Sequence, residues 1–280
     1  MIRSLLKKIK PTLVKLRIFS VLYFIYFFVA KLKNRFLNRI NKVTRKTVPV
    51  LLYHRVDKVL NDPIKLVVSP ETFEEHIKYI NKVYEPISLS ELVNRIKNKS
   101  LKGNEACVTF DDGYRDNLIN ALPILEKYNT PATIFITTSE IGKRASFAWD
   151  MKYKEDDRAI FLSLEEIKIL ANNKLIEIGA HTHNHVRLSD FSKDKQLSEI
   201  ETSKKILEDI INKKILHFAY PFGGRYDFDD NSKFLIKELG FISAYENTGL
   251  LGTSSSDIFS FPRINIRGCN VESLSKHLYN

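Results

Sequence analysis

The feature that most restricts this chain's fold is a regular alternation. Short apolar, β-branched runs are each followed by stretches with helical spacing. From residue 48 onward the apolar runs are 48–56 (VPVLLYHRV), 106–110 (ACVTF), 132–137 (ATIFIT), 175–180 (LIEIGA), 215–220 (ILHFAY), 241–245 (FISAY) and 263–266 (RINI). Runs of this length, bounded by turn residues, read as strands. Between them, 69–83, 88–98, 114–129, 163–173, 194–212, 231–239 and 271–279 read as helices. Ser88 or Ser90 is the expected cap of the second helix, and Pro123 is expected to kink the third. Segment 139–162 lacks a clear period and is expected to form a loop over one face. Strand–helix alternation implies crossover connections and a parallel sheet. About seven such units with no Gly-rich phosphate fingerprint favour an α/β barrel over an open doubly wound sheet.

The net charge of +11 suggests a nucleic-acid partner until its distribution is read. Residues 1–46 hold 13 of the 44 basic residues and no acidic one, which leaves 31 basic against 33 acidic residues in 47–280. The body therefore has no excess of cations for a nucleic acid, and none is expected as a partner. The chain divides into 1–46 and a domain over 47–280. Within the first part, Ile18–Ala30 (IFSVLYFIYFFVA) is a mostly apolar core between basic flanks. It is shorter than the ~20 residues of a full span, and no small-residue cleavage site follows it. Two readings stand: a short signal anchor, or an in-plane interfacial helix on anionic lipid. Both attach the protein to a membrane through residues 1–46, and the flanks are too evenly charged to choose a face. Cys107 and Cys269 fit neither a disulfide framework nor paired zinc-site spacing.

In parallel barrels, chemistry gathers where strands end. The ends here read Tyr53-His54-Arg55, Asp111-Asp112-Gly113, His181-Thr182-His183-Asn184-His185 and Pro221-Phe222-Gly223-Gly224, while Arg263 opens the last strand. If the 181–185 loop starts with a helical turn, His181 and His185 face one way and can grip one ion, with His183 pointing elsewhere. Asp111 and Asp112 alone would read as turn chemistry or a helix cap. Beside the histidine pair they supply a carboxylate ligand and a second carboxylate near the ion's water. The strand should send the two side chains apart, and a turn at Gly113 should splay them further. FAYPFGG (218–224) is either a plain tight turn, the better reading from residues alone, or a loop offering N–H groups to an oxyanion.

The combination of TFDDG (109–113), HTHNH (181–185) and YPFG (220–223) resembles the polysaccharide deacetylase family, carbohydrate esterase family 4, over about 48–270. The resemblance implies a distorted (β/α)7 barrel and a metal-dependent hydrolase that removes N-acetyl groups from amino sugars. It implies Asp112, His181 and His185 as metal ligands, zinc as the default ion, and Asp111 as general base. It also implies a backbone N–H, Phe222 being the candidate, at the oxyanion. The chain departs from the family pattern in two places. Ala219 stands where an arginine often orients the base, and Arg263 is the candidate substitute. No convincing late Leu-x-His motif is present, since His277 falls in the predicted terminal helix; His54 is the candidate general acid. Trp149-Asp150 is read as groove-lining, core or lid. The expected partner is an N-acetylated glycan of a bacterial cell envelope. The alternatives are a deacetylase or deformylase of a lipid-linked sugar, and an inactive membrane-bound carbohydrate-binding protein.

Overall fold

The computed structural model describes residues 46–144, 147–268 and 270–279, and all of these but Lys46 fall in the unit Thr47–Asn280. The membrane-attachment reading of residues 1–46 rests on residues 1–45, which, like Cys269, lie outside the described residues. Among the described residues no helix is long and apolar enough to cross a membrane.

The chain runs through β1 (Val50–Tyr53), β2 (Arg55–Val56), β3 (Val67–Val68), α1 (Pro70–Val83), β4 (Glu85–Pro86), α2 (Leu89–Lys97) and β5 (Glu105–Phe110). A π-helical turn, Asn117–Ala121, then leads into α3 (Leu122–Lys127) and β6 (Ala132–Ile136). After a long connection come α4 (Leu164–Asn172), β7 (Ile176–Ala180), α5 (Lys193–Ile211), β8 (His217–Ala219), α6 (Asp230–Glu238), β9 (Ser243–Glu246), β10 (Phe261–Pro262), β11 (Ile264–Asn265) and α7 (Val271–Tyr279).

Local chemistry explains the helix starts. Ser69 caps α1 through the Thr72 N–H with Pro70 at the first position, and Ser88, not Ser90, caps α2 through the Glu91 N–H. Ser163 and Glu166 form a reciprocal capping box on α4. The expected kink at Pro123 takes a specific form. Proline cannot donate to the carbonyl four residues back, and the preceding turn widens so that the Leu122 N–H reaches Asn117 O. Segment 139–162 is a loop with three short 3₁₀ turns and two isolated bridges, Tyr114↔Phe161 and Arg144↔Ile160.

The main sheet is parallel throughout and runs in the order β10-β9-β8-β7-β6-β5-β1-β11, with β4 paired off this path to β5. Its two ends, β10 and β11, are consecutive in the chain and separated only by Arg263. The sheet is thus a nearly closed barrel of eight parallel strands, and Arg263 sits on its seam. This matches the expected (β/α)7-type barrel, with the two-residue strands β10 and β11 flanking the closing residue.

Strand side chains alternate between two packings. Leu51, Tyr53, Val108, Phe110, Ile134, Ile136, Ile178, Ala180 and Phe218 pack outward under the helices. The alternate positions Val50, Cys107, Phe135, Ala219, Tyr245 and Phe261 form a separate inner cluster. Continuing the inner parity upward from Cys107 gives Thr109 and then Asp111; from Glu177 it gives Gly179 and then His181; from Val50 it gives His54. The barrel interior therefore ends, at its C-terminal mouth, in the polar residues of interest.

Candidate active site

The site begins with β5. Asp111 extends the inner parity of that strand, and its N–H donates to Tyr53 O at 3.0 Å, so it stays in the sheet. Asp112 then takes φ 75° and Gly113 φ 84°. The left-handed conformation is costly for most L-residues but tolerated by Asp. It starts the turn one residue earlier than Gly113 would, and it swings the second carboxylate into the same cleft as the first. The two aspartates converge; they are not splayed.

The histidine loop also differs from the helical turn expected of it. His181 continues the inner face of β7, Thr182 has φ 61° and His185 φ 51°. Two left-handed residues, not a helical turn, bring both imidazoles to Asp112. Asp112 Oδ1 lies 3.2 Å from His185 Nε2 and 3.6 Å from His181 Nε2. His183 turns away and pairs through Nδ1 with Thr138 Oγ1 at 2.9 Å.

These three residues form the one potential metal-holding group found among the described residues, with ligand atoms all within 4.8 Å of one another. The fit to a cation rests on their chemistry. His181 Nδ1–H donates to Ala219 O at 2.8 Å, which leaves the Nε2 lone pair facing Asp112. Burial holds this imidazole down at about 4, so it is neutral near pH 7. Asp112 Oδ1 is buried without an aligned hydrogen bond despite the 3.2 Å contact. Burial would raise this carboxyl, yet His185, with His54 and His181 beyond it, holds it far below the carboxylate range. Two imidazole nitrogens and one carboxylate oxygen, converging on one point, suit a divalent ion with an open position. The ring of His185 is caged by Phe147, Trp149 and Phe222 at centroid distances of 5.0, 5.1 and 4.9 Å.

Asp111 is held differently. Arg263 Nη1 and Nη2 donate to its Oδ1 and Oδ2, each at 2.7 Å, in a two-pronged ion pair whose members are 0% and 5% exposed. Burial pushes the Asp111 carboxyl up, but Arg263, together with His181 and His54, makes the net direction down. Asp111 Oδ2 stands 3.8 Å from His181 Nε2, beside the Asp112–His181–His185 group. Ala219 occupies the position where the family pattern places its arginine, and its methyl belongs to the inner core cluster.

A cleft of about 310 Å³ joins these groups. His54 lines it with a buried Nδ1 that has no hydrogen-bond partner, and burial holds its imidazole low. Phe222 lines it in a left-handed conformation (φ 62°), its ring half-exposed and its N–H making no backbone hydrogen bond among the described residues. Gly223 is obligatory there, because a Cβ would lie 2.8 Å from Asn247 N at φ 68°. Trp149 forms one wall. Its indole N–H donates to Tyr114 OH at 3.1 Å, and Tyr114 OH donates to Asp150 Oδ1 at 3.3 Å. Asn247, Asn265 and Arg267 also line the cleft and were not anticipated. For the last two a signal existed, the polar–apolar alternation of RINIR.

Comparison with known proteins agrees with this geometry. A family model described as polysaccharide deacetylase matches residues 98–243, more than half of the chain. The Bacillus subtilis protein YxkH, named for the same family, is 31% identical over 183 residues, covering 64% of this chain and 58% of its own length. The poly-β-1,6-N-acetyl-D-glucosamine N-deacetylase of Staphylococcus aureus strain MRSA252 is 28% identical over 257 residues, covering 84% of each chain. Among solved structures, the Streptococcus pyogenes deacetylase PplD in complex with acetate superposes with a TM-score of 0.69 at 24% identity, covering 82% of this chain and 97% of that one, and so supports the fold. BC0361, a polysaccharide deacetylase from Bacillus cereus, gives 0.67 at 25% identity, covering 84% and 69%.

Proposed function

Since the chain belongs to the polysaccharide deacetylase family, hydrolases of carbon–nitrogen bonds other than peptide bonds, we propose that it is a metal-dependent N-deacetylase of N-acetylglucosamine polymers. The observation that carries this reading is the convergence, in one cleft, of an unpaired Asp112–His181–His185 group and a second carboxylate clamped by Arg263. Asp112, His181 and His185 would hold the ion, zinc by the character of the donors. When bound, such an ion lowers the pKa of an adjacent water from ~16 to roughly 7 and polarises the acetamide carbonyl.

The remaining steps fall to the chain's own groups. Asp111, kept ionised by Arg263, takes a proton from the attacking water at Oδ2. Addition to the carbonyl and cleavage of the C–N bond then yield acetate and a free amine. The Phe222 N–H, in a residue that lines the cleft, would donate to the developing oxyanion. His54, which lines the cleft and whose Nδ1 has no protein partner, would relay to the departing nitrogen the proton that Asp111 takes from the water. Relatives named for poly-β-1,6-N-acetyl-D-glucosamine support a polymer over a lipid-linked sugar as substrate. The basic, apolar-centred residues 1–46 would hold the domain at a bacterial membrane surface, which flotation of the full chain with anionic liposomes checks.

The central test combines metal content with acetate release. Asp112→Ala and His185→Ala should purify without the metal that the wild type carries. Asp111→Asn should keep the metal and lose acetate release by roughly 10²- to 10⁴-fold. Full turnover in Asp111→Asn would refute the assigned base.

A further inference from the structure

The last strand delivers more than the clamp on Asp111. In RINIR, Ile264 and Ile266 are each 2% exposed and pack into the core, while residues 263, 265 and 267 share the opposite side. Arg263 is fully buried against Asp111, Asn265 is half-buried, and Arg267 is exposed at the rim. Asn265 and Arg267 both line the cleft. An extended chain rises ~3.3 Å per residue, so Arg267 stands about 13 Å from Arg263, outward along the cleft.

Two features suggest that this row is built for a ligand. Asn265 Oδ1 is buried and has no hydrogen-bond partner. A carboxamide oxygen left so in water-poor surroundings is costly unless something donates to it. Charge is the second feature. The carboxylates lining the cleft, among the described residues, are Asp111 and Asp112. Arg263 matches the first, and the second belongs to the ligand group. Arg267 makes no ion pair or hydrogen bond with any described residue, so its charge is the one in the cleft without a counterpart. A neutral glycan offers that guanidinium nothing better than water does, whereas a carboxylate or phosphodiester offers a forked, charge-assisted contact.

We propose that Asn265 and Arg267 form a substrate subsite that recognises an acidic substituent, carboxylate or phosphodiester, on the glycan beside the sugar being deacetylated, with Asn265 accepting from a sugar hydroxyl or amide. This rests on the deacetylase reading and narrows its substrate class to anionic glycans.

The test compares three oligosaccharides of equal length: neutral N-acetylglucosamine units, the same alternating with N-acetylmuramic acid, and the same carrying a phosphodiester. At low salt, kcat/KM for at least one acidic oligosaccharide should exceed the neutral one by about tenfold, the scale of one hydrogen bond to a charged group. Added salt should shrink the ratio. Arg267→Gln should bring it close to one, and Arg267→Lys should restore part of it. Whichever acidic oligosaccharide carries the preference identifies the substituent. Calorimetry on the chelator-treated full chain should show the same ordering of affinities without turnover. Equal kcat/KM for all three, or a ratio unchanged in Arg267→Gln, would overturn the subsite. No acetate release from any oligosaccharide, with the affinity ordering intact, would sustain the subsite and overturn the deacetylase reading instead.

Discussion

The Arg263–Asp111 pair can be examined by a double-mutant cycle. Both groups are buried, and their two bonds are 2.7 Å long. Removing one member of such a pair leaves an uncompensated buried charge, at a cost of about 3–5 kcal/mol. Arg263 also reaches Thr109 Oγ1 and the Glu246 carbonyl, both at 3.3 Å, and lies 5.3 Å from the Phe135 ring centroid. Those contacts are long and add about 1 kcal/mol. Arg263→Gln alone should therefore cost about 4–6 kcal/mol, and Asp111→Asn alone about 3–5 kcal/mol. The double variant removes both charges and can pair two amides. It should fall short of the sum by at least about 2 kcal/mol, because neither charge is then stranded. Arg263→Lys, which keeps the charge and loses the fork, should lie between wild type and Arg263→Gln. Urea unfolding of chelator-treated protein at pH 7, fitted with a common slope, gives the four free energies. A coupling below about 0.5 kcal/mol, the range of independent sites, would show that Asp111 is compensated by something other than Arg263.

Three further outcomes are expected. Gly179 stands on the inner face of β7 where the Phe135 ring fills the barrel: an added Cβ would meet its Cδ1 at 2.3 Å, so Gly179→Ala should cost at least about 1–3 kcal/mol in the same unfolding assay. Ser163→Ala breaks the capping box of α4 and should cost about 1 kcal/mol in the same unfolding assay. His217 lies near Glu177 and is held below its ordinary range mainly by burial, so the unfolded state takes up the proton first. Stability should therefore be full above about 6.5 and decline as pH falls below it, and His217→Gln should flatten that decline.

The alternation of strands and helices was legible because burial on both faces of a parallel sheet leaves little freedom in composition: the runs at 106–110, 132–137 and 175–180 correspond to β5, β6 and β7 within a residue. The Asp111–Asp112 pair and the histidines were legible as residue types at strand ends. Their geometry was not. The left-handed backbone at Asp112, Thr182 and His185 is imposed by the closed site around them, and none of these is a residue whose sequence context demands it. Strands β2, β3, β4 and β10 are two residues long and carry no periodicity to read. The widened turn before Pro123 depends on which carbonyl the chain can reach, a matter of three-dimensional packing.

Arg263 shows where local reading ends and topology begins. As a residue it could be singled out, since an orienting cation was needed and Ala219 could not supply one. What places it is the seam. Pro262 pairs with Glu246 on β9, while Ile264 pairs with Leu51 on β1, so the chain crosses from one edge of the sheet to the other in a single residue. That residue faces the interior only when both edges are zipped, and Asp111 has its buried partner only then. An opened barrel strands the Asp111 carboxylate at the full cost of an unpaired buried charge. Closure of the sheet and preorganisation of the base are thus one event, and the arginine need not come from the strand that carries the family motif. Any inward position at the same mouth serves, provided that the barrel's closure holds it there.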